Sequence, residues 1–135
     1  MLPSGLPEVI GNDEDLARFL TQGNQYSSNG VKLAAFLPHP KTQDVSVSRH
    51  GVTPVHGLQE LGLAATQGRA LHGAAVVDAA SVRHIGLAAV ADEPPHRHAL
   101  ITQWPQVHDD PEMRKARHKQ LALDLASNSR LVVLL

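Results

Sequence analysis

Val31-Lys32-Leu33-Ala34-Ala35-Phe36-Leu37 and Val45-Ser46-Val47-Ser48-Arg49 are the two runs from which a sheet can be built. In the first, Val31, Leu33, Ala35 and Leu37 share one side of an extended chain. Ala34 and Phe36 take the other side, so a strand covered on both faces is expected. Pro38 and Pro40 end it, because neither can donate to a ladder. The second run alternates apolar and polar residues, so it is expected to return antiparallel and close a hairpin with one wetter face. Val31, Leu33 and Val47 are then expected in the core.

Upstream, Pro3, Gly5, Pro7 and Gly11 make residues 1–11 an extended arm. Asn12 offers a helix N-cap, Asp13, Glu14 and Asp15 suit a first turn, and Leu16 and Leu20 lie one turn apart, so a helix ending at Gly23 is expected. Downstream, Thr53-Pro54 reads as a cap and first helical residue, with Leu58 and Leu61 on the buried side and Gly68 closing the helix. Leu71 to Val77 reads as a strand, Asp78 as the cap of a short helix through His84, and Gly86 as its left-handed stop. Leu87 to Ala91 and His96 to Ile101 read as strands around the corner Asp92-Glu93-Pro94-Pro95. Asp110-Pro111 starts a long helix to about Ser127, and Arg130 to Leu135 is a terminal strand or docking tail. The pattern is α+β: a small, mainly antiparallel sheet with two to three helices packed on it, in one domain over 12–135.

With 135 residues the chain can bury one core, and 42% apolar residues argue against wholesale disorder. One Trp, one Tyr and two Phe leave that core to Leu, Val, Ile and Ala, which points to a partner subunit supplying some burial. The absence of cysteine removes disulfides, thiolate nucleophiles and Cys-ligated zinc, and suits a cytoplasmic setting. The N-terminus has no signal-peptide pattern, and no apolar run is long enough to cross a bilayer. A net charge of −1 argues against an electrostatic DNA coat, while leaving local basic patches open.

Nine histidines are about three times ordinary usage. In Pro95-His96-Arg97-His98, alternation on a strand puts His96 and His98 on one face, where they could act as an acid and base pair. They could also give two metal ligands, with His108, Asp109 and Asp110 completing the shell, but the spacing alone does not require a metal, and neither metal nor cofactor is assigned. Ser46, Ser48 and His50 would share a face, with Arg49 opposite and able to steady an anion. No G-x-S-x-G elbow accompanies these serines, so a serine triad is not expected from them. Nor is there a Walker loop, a G-x-G-x-x-G or an H-E-x-x-H. In the last helix Arg114, Arg117 and His118 cluster at helical spacing, and Lys115 and Lys119 stand a turn apart.

Two functions follow as expectations. The first is a small intracellular binding or accessory module. It would touch protein or nucleic acid through Arg114, Lys115, Arg117 and Lys119, and a protein partner or second copy through Leu131, Val132, Val133, Leu134 and Leu135. The alternative is a small cysteine-free, histidine-dependent hydrolase or ribonuclease working through His96, His98, Arg49 and His50.

Overall fold

Asp15–Leu20 forms a central strand, β1, in the computed structural model, which describes residues 2–50, 55–106 and 109–134. Two short strands follow, β2 (Tyr26–Ser27) and β3 (Gly30–Val31), then β4 (Val45–Arg49) and helix α1 (Val55–Thr66). β5 (Gly73–Asp78), α2 (Ala79–His84), β6 (Ala88–Ala91), β7 (His98–Thr102), α3 (Pro111–Ser127) and β8 (Arg130–Val133) complete the order. Six strands make one antiparallel sheet in the order β6-β7-β4-β1-β5-β8, and β2 pairs with β3 apart from it. The chain is an α+β domain. No helix among the described residues is long and apolar enough to cross a membrane.

Two sequence expectations fail here, for linked reasons. The helix expected after Asn12 is β1. Leu16 and Leu20 do lie one helical turn apart, but Leu16 and Leu20 also share one strand face while Ala17 and Phe19 share the other, and both faces are buried. The acidic residues read as first-turn groups instead serve distant arginines: Glu14 binds Arg49 and Asp15 binds Arg130. The strand expected at 31–37 is largely a 3-10 helix, Leu33–Phe36, so the expected hairpin does not form. Its place beside β4 is taken by β1 and β7. Ala35 and Phe36 are buried beneath α3 and Val47 is in the core, but Val31 and Leu33 are only half-buried.

Locally encoded elements form where the sequence places their signals. Asp110 accepts from the Met113 N–H and Pro111 opens α3, whose His118, Leu121, Ala122, Leu125 and Ala126 form one buried stripe. Asp78 accepts from the Ser81 N–H to cap α2, and Gly86 takes a positive φ of 95° beyond it. The Thr53-Pro54 start lies outside the described residues.

Helices α2 and α3 and the 33–36 turn cover one face of the sheet, over Leu16, Leu20, Val45, Val47, Ala75, Val77 and Ile101. Helix α1 covers only part of the other face, where Leu58 meets Ala17, Phe19, Ala74, Val76 and Leu134. Gly62 permits that approach: a Cβ there would stand 2.8 Å from the Phe19 ring. Residues 2–11 lie against the domain, with Ser4 bonded to Glu93, the Pro7 carbonyl to Arg49, and Ile10 buried. In the apolar tail, Leu131 joins one core and Val132 and Leu134 the other, while Val133 is exposed. Leu135 lies outside the described residues.

Candidate functional site

Because α1 sits over β1 and β5, the β4–β7 half of the same face stays open. A cavity of about 330 Å³ lies along that boundary. Its floor is Ala17, Ser46, Ser48 and His98, one wall is Leu61, Ala64 and Ala65 of α1, and His96 stands at one rim. The loop after α1 contributes Gln67 and Arg69 at the other end.

Arg18 reaches this cavity because β1 and β4 part company. Their ladder has only the pairs Leu16↔Arg49 and Ala17↔Ser48. Beyond it the Arg18 guanidinium takes over, donating from Nε to the Ala35 carbonyl at 2.9 Å and from Nη1 to the Ser46 carbonyl at 3.0 Å. Its Nη2 has no bond among the described residues, and no carboxylate there pairs with it. Burial weakens its proton affinity and the nearby charge of Arg69 adds to this, although a guanidinium stays charged. Arg69 is held by the end of α1, where its Nε donates to the Thr66 carbonyl. Two Arg and two His border the cavity, and no Asp or Glu does among the described residues.

The histidine rim is a turn rather than a strand. The His98 N–H closes on the Pro95 carbonyl, and Arg97 between them has φ 62°. That conformation normally suits glycine and costs about 1 kcal/mol or more elsewhere. Here the Arg97 guanidinium donates to the carbonyls of Arg49 and His50 and fastens the turn. Gln67, at the opposite end, also has a positive φ of 48°. His98 begins β7, and its Nδ1 lies 3.0 Å from Asp92 Oδ2 and 3.1 Å from the Asp92 carbonyl.

The four residues of the hydrolase expectation therefore separate. His96 and His98 border one cavity. Arg49 lies on the far face, fully buried, with Glu14 at 2.9 and 2.8 Å and the Pro7 carbonyl at 2.6 Å. Neither Arg49 nor His50 lines the cavity. His50 is buried and its N–H bonds the Asp15 carbonyl. Burial lowers its proton affinity; Asp15 opposes this, and Arg130 and Arg97 reinforce it. Of the cations that do face the cavity, Arg18 is hidden by the helical expectation for 12–22, and Arg69 sits in the loop after α1 with no local signal of its own. Had Leu16-Ala17-Arg18-Phe19-Leu20 been read as a doubly covered strand, an arginine inside it would have been the signal.

The basic cluster of α3 also divides. Lys115, Arg117 and Lys119 are exposed and Arg114 is half-buried. His118 turns inward, where Nε2 donates to the Pro105 carbonyl at 2.7 Å and the ring meets Trp104 edge-on. No group of three His, Asp or Glu is placed to hold a metal among the described residues, and His108 lies outside them. Family models, curated proteins and solved structures all give no match to this chain.

Proposed function

We propose that the chain is a small binding module whose ligand is an organic anion with an apolar body, held in the cavity between α1 and β4–β7. One observation carries this reading: the half-buried Arg18 guanidinium has no carboxylate partner among the described residues and stands beside a second guanidinium, that of Arg69. A desolvated charge without a counter-charge is costly, and a ligand anion removes that cost. Leu61, Ala64, Ala65 and Phe19 supply the apolar wall that such pockets commonly have.

Calorimetric titration with naphthalene-1-sulfonate and the neutral naphthalene-1-methanol tests this. The sulfonate should bind and the alcohol should bind far more weakly. Arg18→Gln should weaken sulfonate binding roughly 10- to 100-fold, the equivalent of a charge-assisted hydrogen bond of about 1.5–3 kcal/mol. Equal affinity for the two probes, or no effect of Arg18→Gln, would overturn the reading.

A further inference from the structure

We propose that this cavity also hydrolyses carboxylic esters that carry an anionic group, with Ser48 as nucleophile, His98 as its base, and Asp92 positioning His98. The proposal rests on the cavity being a ligand site, and adds chemistry to it.

Ser48 and His98 are Cα partners across β4 and β7. The Arg49 N–H donates to the Arg97 carbonyl, while the His50 N–H points the other way, to Asp15. On the β7 side, Arg49 and Arg97 thus occupy a hydrogen-bonded position, which makes Ser48 and His98 a non-hydrogen-bonded pair. Side chains stand closest in such pairs, with Cβ atoms roughly 5 Å apart. Both residues border the cavity. The Asp92 carboxylate at 3.0 Å from His98 Nδ1 holds the proton on that nitrogen, which leaves Nε2 free to accept. The Ser48 hydroxyl makes no hydrogen bond among the described residues, although Ser48 is only 5% exposed. A serine hydroxyl that borders a cavity, on the strand position directly opposite a histidine whose Nε2 can accept, is placed for a nucleophile and its base to meet. Bonds of this kind commonly tighten only when substrate is bound.

The step balances with water as the sole co-reactant. Ser48 Oγ bonds to the ester carbonyl carbon as its proton passes to His98 Nε2. The carbon–oxygen bond to the alcohol then breaks, and the alcohol leaves with that proton. Water repeats the sequence on the acyl-serine, releasing the acid and restoring Ser48. Arg18 and Arg69 hold the anionic substituent of the acyl group, so a charged ester is favoured over a neutral one of equal size.

Two measurements test this. Treatment with a fluorophosphonate, followed by peptide mass mapping, should give one adduct, on Ser48, with loss of fluoride; His98→Gln should slow it at least a hundredfold. Mono-4-nitrophenyl succinate should be turned over faster than 4-nitrophenyl acetate, with activity lost in Ser48→Ala. Asp92→Asn should lower kcat while leaving KM near its wild-type value. No adduct, an adduct on Ser46, or turnover unchanged by Ser48→Ala overturns the proposal. Sulfonate binding without adduct or turnover would overturn the hydrolase and leave the binding module standing. Ser48-dependent turnover with no preference for the anionic ester would support the hydrolase and overturn the anion reading.

Discussion

Replacing Glu14 with Gln removes the counter-charge of a guanidinium that has no exposure to water. Arg49 donates from Nε and Nη2 to the two Glu14 oxygens, at 2.9 and 2.8 Å, across the junction between the N-terminal arm and the sheet. Breaking a buried pair from one side costs about 3–5 kcal/mol, because the remaining charge stays desolvated. Glu14 keeps 19% of its side chain exposed, so water can partly replace the lost oxygen. The expected loss is therefore the lower end of that range, about 3 kcal/mol. The proton affinity of Glu14 adds a second signature. Burial raises it, but the bonds from Arg49 and the Gly11 N–H, with the charges of Arg49 and Arg83, outweigh burial and hold it below the usual glutamate range. A lowered folded pKa gives stability that is fully present above the unfolded value of about 4.3 and is lost as pH falls through the folded one. Urea unfolding at pH 7 and at steps down to pH 3 should show Glu14→Gln well below wild type at neutral pH, with the gap narrowing in acid. A deficit under about 1 kcal/mol at pH 7, or one that does not change with pH, would refute the reasoning.

Three further outcomes are expected. In Gly73→Ala the new Cβ would stand 2.5 Å from the Val132 carbonyl oxygen, so β8 must shift; a loss of about 1–3 kcal/mol and faster amide exchange across Arg130–Val133 should result, and unchanged exchange would contradict the packing. Gly62→Ala brings a methyl within 2.9 Å of Leu71 Cδ2 and closer still to Phe19; it should cost about as much and also weaken naphthalene-1-sulfonate binding, since α1 walls the cavity. His50 is disfavoured as an imidazolium, chiefly by burial, so its share of stability is present above the unfolded value of about 6.5 and declines as pH falls through the lower folded value; urea unfolding of His50→Asn should be less pH-dependent below neutrality than wild type, and an equal slope would exclude His50 as a contributor.

Local chemistry was enough to place α2, α3 and the strands from Gly73 onward, because their signals act within a turn or two of the chain. Asp78 and Asp110 cap through a backbone N–H three residues away, and no distant partner is needed for that bond. The α+β class followed from the same signals. Helix is expected over 12–22 and strand over 31–37, where the structure has strand β1 and a 3-10 turn, since an i, i+4 leucine pair fits either period and an apolar run fits either core. Sheet neighbours decided that region: β1 pairs along its whole length with β5, leaving 33–36 to pack under α3.

The histidine pair was legible as a pair, but its partners were not. Arg49 and His50 looked available from alternation alone, whereas Arg49 is committed to Glu14 on the opposite face. Arg18 and Arg69 come to the cavity from β1 and the loop after α1, and Asp92 reaches His98 from the corner after β6. Sequence by itself determined the caps, the breaks, the apolar stock of the core and the histidine motif, all properties carried by neighbouring residues. Tertiary structure alone decided which strand became central, which arginine was neutralised and which was left facing a cavity, because long-range pairing and burial set those outcomes.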